Sequence, residues 1–160
     1  NLGPDFYDGS MSLRRTFARI PAKIRPLIVR FRPPAFRNKN LGCACAFSSF
    51  VIEKTLHDLG FQAELVIGTW KNNTHAWIEA EGFILDVTLT QFGLTQPRIK
   101  VAKAAAARLY KVEHRGEAAH QELRNDPEGD DFPARGWGDQ SPYEYPDTVE
   151  EIVREFRRRQ

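Results

Sequence analysis

The tightest constraint on this chain is the two-residue break Glu81-Gly82 between the alternating runs 75–80 and 83–88. Two such runs joined by so short a loop predict a β-hairpin, and the loop length sets the register. With an even-length loop, Ala80 faces Phe83, Ile78 faces Leu85 and Ala76 faces Val87, and all six lie on one apolar side. The other side carries His75, Trp77, Glu79, Ile84, Asp86 and Thr88. On it His75 and Asp86 become diagonal neighbours with Cβ atoms within about 7 Å, near enough for the carboxylate to hold the imidazole. An odd loop puts the two on opposite sides.

Upstream, Cys45, Ser49, Ile52, Leu56 and Leu59 recur at helical spacing, which predicts an inward helix face within 41–60, stopped at Gly60. Glu53, Lys54, His57 and Asp58 lie away from that stripe. Cys45 therefore points toward the packing partner, whereas Cys43 either precedes the helix or faces elsewhere. A thiol in the first helical turn meets the positive end of the helix dipole and free amide groups, which favour the thiolate. Residues 62–70 read as a buried strand built on Ala63, Leu65, Val66 and Ile67, followed by the polar turn 71–74.

A cysteine, a histidine and an aspartate in this order suit acyl transfer. An imidazole takes the thiol proton to make a nucleophile, and a carboxylate on its other nitrogen sets tautomer and orientation. The assignment is Cys45 as nucleophile, His75 as base and later acid, and Asp86 as orienting group. An oxyanion needs two donors: the Cys45 amide is one candidate, and Asn40, Asn38 or Gln91 the other. Trp77, Ser49 and Trp137 are candidates for the walls of the substrate cleft. Zinc is the rival use of these residue types, but Cys43-Ala-Cys45 lacks a second paired ligand motif, so neither metal nor cofactor is expected.

The motifs Asn40-Leu-Gly-Cys-Ala-Cys-Ala-Phe-Ser-Ser49, Glu64-Leu-Val-Ile-Gly68, His75-Ala-Trp-Ile-Glu79 and Leu85-Asp-Val-Thr88 followed by Gln91-Phe92 resemble the core of the bacterial transglutaminase-like cysteine protease superfamily. The cysteine with a serine four residues on, then His-Ala-Trp, is similar to the peptidases that remove leader peptides from lasso-peptide precursors. The resemblance covers residues 40–92. It implies an α+β, papain-like or transglutaminase-like core with the Cys45 helix on an antiparallel sheet, and the roles just given for Cys45, His75 and Asp86. The implied activity is hydrolysis of a peptide or protein amide through a thioester. Glutamine deamidation or transamidation is the alternative, and an inactive binding module with the same fold is a third.

The chain has 160 residues, 41% hydrophobic and 28% charged, enough for one substantial core. It divides into a basic flank (1–40), a catalytic core (41–113) and an acidic loop with a terminal helix (114–160), all in one domain. Gly9-Ser10-Met11 resembles a cloning junction, so residues 1–10 are kept out of the functional reading. A net charge of +2 implies no global polyelectrolyte partner. Two closely spaced cysteines make no disulfide framework, so a reducing, cytoplasmic setting is expected. No stretch has the apolar length of a membrane span and no secretory signal is present.

Residues 9–52 hold no Asp or Glu while carrying a series of cations from Arg14 to Lys39. The plainer expectation is a solvated flank that pairs with acidic loops such as Glu128-Gly-Asp-Asp131. The functional one is a surface that docks an acidic partner; nucleic acid is disfavoured because no reader motif accompanies the charge. Pro21 and Pro26 predict one or two short, interrupted helices over 12–31. Alanines 102–107 favour helix, whereas 109–112 suits a closing strand, and His114 and His120 read as surface residues. Residues 125–147 read as a long loop that covers or borders the cleft. Thr148 and Glu151 form a capping box for a terminal helix whose face Val149, Ile152, Val153 and Phe156 is expected to pack on the core.

Overall fold

Two-residue turns organise the sheet. Lys71-Asn72 and Glu81-Gly82 both place two successive residues at positive φ, the type I′ geometry whose twist matches that of the flanking strands. They join β1 (Ala63–Trp70) to β2 (Asn73–Ala80) and β2 to β3 (Phe83–Asp86). The computed structural model describes residues 13–36, 41–42, 44–93, 95–124, 137 and 140–160. Among these, β4 (Lys100–Lys103) and β5 (Tyr110–Arg115) complete an antiparallel sheet ordered β4-β3-β2-β1-β5. The helices are α1 (Leu13–Phe31), α2 (Cys45–Asp58), α3 (Glu117–Leu123) and α4 (Pro146–Arg158), so the fold is α+β. Among the described residues no helix is long and apolar enough to cross a membrane. Residues 1–10, Asn38, Asn40, Cys43 and the acidic run 128–131 lie outside the described part.

The expected hairpin register holds: Ile78 pairs with Leu85 and Ala80 with Phe83. Its two sides feed two separate clusters. Ala76, Ile78, Ala80, Leu85 and Val87 join the main core with α1, α2 and α4. Trp77 and Ile84 pack with Val66 on the reverse face, under Ala104, Ala107 and Tyr110.

Four local expectations are corrected. The first is α1, one 19-residue helix that contains both Pro21 and Pro26. Each interior proline costs about 3 kcal/mol. Burial of Phe17, Ile20, Ile24, Leu27 and Ile28, at about 2 kcal/mol for each side chain, outweighs that cost. The second is the alanine-rich stretch, where helix is confined to one 3-10 turn, Ala104–Ala106. β3 needs a partner, and Leu85 with Val101 and Ile84 with Ala102 supply the ladder, so tertiary pairing overrides local propensity. The expected closing strand is β5, paired with β1.

The third correction concerns α2, which is buried nearly all round. Glu53 is 5% exposed, accepting from the Leu65 amide at 2.6 Å and from His120 Nε2 at 2.6 Å. His120 is correspondingly half-buried rather than on the surface, and its Nδ1 lies 2.6 Å from the Tyr143 hydroxyl. The fourth is α4, which starts at Pro146 without a side-chain cap, two residues ahead of the expected capping box. Its apolar face does pack on the core.

Gly68 carries a strict requirement. It faces His75 across β1–β2 and sits where the β1–β5 ladder shifts register. A Cβ there meets the Lys111 carbonyl oxygen at 1.9 Å and the Trp77 ring at 3.0 Å. Gly68→Ala must therefore push β5 outward. The expected cost is about 2 kcal/mol, a drop of roughly 4–8 °C in the thermal midpoint, checked by calorimetry.

Candidate functional site

The acid of the site is placed by the hairpin and held by its own turn. Asp86 ends β3 and is 2% exposed. Its Oδ1 accepts from the Thr88 amide at 2.9 Å and the Thr88 hydroxyl at 3.0 Å, a local side-chain turn. Its Oδ2 accepts from His75 Nε2–H at 2.6 Å and from the Tyr110 hydroxyl of β5 at 2.9 Å. Burial alone raises a carboxyl pKa, but the His75 charge, with the His75, Thr88 and Tyr110 hydrogen bonds, holds Asp86 below the usual range. Burial and the neighbouring Asp86 raise the Tyr110 pKa in turn, so the phenol keeps its proton and donates.

His75 is completely buried. Its ring stacks on Trp77 with centroids 6.0 Å apart, and Phe92 meets it edge-on at 5.1 Å. With Nε2 given to Asp86, Nδ1 is the nitrogen left for other work. The Gln91 amide nitrogen lies 3.2 Å from Nδ1, and the Cys45 side chain is among the groups that act on the imidazole. Burial works to lower the His75 pKa. The Asp86 charge and hydrogen bond, helped by Cys45, overcome it and push the value up to about 10. The buried carboxylate thus favours the protonated imidazole.

Cys45 is the first residue of α2 and is 4% exposed. The residue before it, Ala44, offers no side-chain cap, so no side chain of that residue competes for the first-turn amides. Cys45 belongs to the helix-side core and His75 to the opposite face of the sheet. The β2–β3 ladder pairs only Ile78, Glu79 and Ala80 of β2, so His75 and Asp86 lie past its end. Imidazole and carboxylate thus form one hydrogen-bonded pair, with the ring held from behind and the Cys45 side chain acting on it electrostatically.

The other expected residues separate. Gln91, in the 3-10 turn Leu89–Phe92, reaches the site. Trp77 is fully buried beneath the imidazole and acts as its floor rather than as an open wall. Ser49 is buried one helical turn beyond Cys45. Trp137 packs in the main core and donates to Glu122 at 3.3 Å. Tyr143 and Tyr145 pack edge-on against Phe50 and Phe47 of α2. Sequence reasoning missed Tyr110, because only the long-range β1–β5 pairing brings it to Asp86; its one early signal was the apolar closing-strand pattern. A cavity of about 590 Å3 near His57, Glu64, Glu79 and Glu81 has none of Cys45, His75 and Asp86 in its walls. Among the described residues no group of three or more His, Cys, Asp or Glu side chains is arranged to hold a metal ion.

Comparison of the chain with protein-family models, with curated proteins and with solved structures finds no match.

The His75–Asp86 pair makes stability depend on pH. His75 rises from 6.5 to about 10 on folding, so its contribution is complete below pH 6.5 and disappears as pH climbs through about 10. Asp86 is lowered from 3.8, so its contribution is present above that value and is lost as pH falls through its folded value. Urea midpoints of the native protein are expected to decline between pH 6.5 and 10, and those of His75→Phe to lack that decline.

Proposed function

We propose that this chain is a cysteine-dependent amide hydrolase, a peptidase that cleaves a peptide or protein through a thioester on Cys45. The observation that supports this reading is His75, held through Nε2 by Asp86 at 2.6 Å, with the Cys45 side chain among the groups that act on the same imidazole. The motif likeness to transglutaminase-like cysteine proteases agrees with this reading and extends it to a papain-like or transglutaminase-like arrangement in a reducing, cytoplasmic setting.

The proposed reaction uses only these groups. The Cys45 thiolate attacks the amide carbonyl carbon, and the electron pair of the C=O bond moves to oxygen. First-turn amides of α2 face that oxyanion, with the Gln91 amide as the second donor. Collapse expels the amine, which takes its proton from the His75 imidazolium, and leaves the acyl group on sulfur. Water, deprotonated by the now neutral imidazole, then attacks the thioester and releases the carboxylate and the thiolate. An amine in place of that water makes the same site an acyl transferase.

Iodoacetamide is expected to alkylate Cys45 rapidly at pH 7, and at least about tenfold more slowly in His75→Ala, read by mass spectrometry of the intact chain. Labelling of Cys45 no faster than that of Cys43 instead marks a binding module without turnover. Peptide hydrolysis is expected to fall as pH passes about 10, where His75 loses the proton the leaving amine requires.

A further inference from the structure

A cavity of about 330 Å3 lies beside the acid end of the site, and neither the thiol nor the imidazole lines it. Three contacts tie it to the site. Tyr110 lines it while donating to Asp86; Leu89 lines it from the same 3-10 turn as Gln91; and Trp70 lines it while stacking on Phe92, which abuts His75. The remaining wall mixes aliphatic groups, among them Ala102, Ala107 and Leu109, with polar and cationic ones, and Leu109 is 50% exposed although it is a large apolar residue. A half-exposed leucine at the mouth of such a hollow is surface that an incoming apolar group would cover.

The charge around this hollow has one sign. Its lining includes Lys71, Lys100 and Arg108 and no Asp or Glu. From Val87 to Val112 the chain carries Arg98, Lys100, Lys103, Arg108 and Lys111 without a single acid. Among the described residues Lys100 and Arg108 have no carboxylate partner, and Arg98 sits close enough to Arg25 of α1 to lower the pKa of that guanidinium, after burial. The positive field therefore continues from the rim of the hollow toward the acid-free helix α1.

We propose that this hollow anchors an apolar side chain of an acidic peptide segment, with flanking carboxylates on Lys100, Arg108 and Lys71, and that this segment belongs to the substrate. The inference rests on the peptidase reading only in naming that segment as substrate. A volume of about 330 Å3 accommodates one leucine- or phenylalanine-sized group with room for its backbone. Nucleic acid fits less well, because stacking needs an open aromatic face. Trp70 is already stacked on Phe92 at 5.0 Å and carries the Lys71 ammonium 4.7 Å from its ring centre.

The test uses the full chain with Cys45→Ala, labelled with 15N, so that binding is read without turnover. Acetyl-Glu-Leu-Glu-amide is expected to shift the amides of Ala102, Ala107 and Leu109 and the Trp70 indole N–H. Acetyl-Glu-Gly-Glu-amide is expected to bind about tenfold more weakly, and acetyl-Lys-Leu-Lys-amide to leave these resonances unmoved. Lys100→Glu with Arg108→Glu, both exposed, is expected to weaken the first peptide at least about fivefold, and Leu109→Ser to weaken it without altering the salt dependence. Equal binding of the leucine and glycine peptides, shifts located elsewhere, or stronger binding of a ten-residue oligothymidylate at the same amides overturns the proposal. Binding here with no peptide cleavage by the native enzyme would sink the peptidase reading and leave the anchoring site standing; cleavage with no binding here does the reverse.

Discussion

The structure depends most heavily on one buried charge pair. Taking a carboxylate and an imidazolium out of water costs several kcal/mol for each ion, and their attraction repays this only if the remaining lone pairs are also satisfied. Asp86 meets that condition through four donors on three residues, one on its own strand partner, two on the turn that follows and one on a distant strand. The architecture around it follows. The hairpin supplies the diagonal, the Thr88 turn fixes one oxygen, and β5 exists in the sheet partly as the carrier of Tyr110. Trp77 and Phe92 then exclude water from the ring, which strengthens the pair they enclose.

A second polar network holds α2, the helix that begins with Cys45, farther along its length. Glu53, buried on α2, ties the β1 amide of Leu65 to His120 of α3, and His120 passes the connection to Tyr143. The carboxylate thus links segments that are remote in sequence, and it joins α3 and Tyr143 to the core. Arg157 of α4 pairs with Asp58 at the end of α2, and Lys54 reaches Glu150 at 3.3 Å, so the terminal helix is fastened to α2 along its length. The helix bearing the thiol is consequently held by the sheet below it and by the C-terminal segment above.

What could be read from the chain was local and periodic. The parity of the Glu81-Gly82 loop placed His75 and Asp86 on one side, and the phase of the Cys45 helix aimed its thiol inward; both are consequences of fixed geometric repeats. What could not be read was set by partners far away in sequence. Pro21 and Pro26 sit in a continuous helix because a long apolar stripe outweighs two lost backbone bonds. Alanines 102 and 104 sit at an edge strand and its exit because β3 needed a neighbour. Glu53 and His120 look like surface residues until the fold brings them together, and Tyr110 reaches the acid only through the β1–β5 pairing. Neither polarity nor spacing within a short window carries that information.

The outermost strands carry one further consequence. β4 begins and ends with lysine, at Lys100 and Lys103, whereas β5 exposes Lys111, Glu113 and Arg115, the last of them paired with Glu79. These two strands bear the unpaired N–H and C=O groups onto which another chain could add. Two copies that approach β4 to β4 bring like charges together before any backbone bond can form. The β4 border therefore carries a cationic guard where self-association into a wider sheet would otherwise begin.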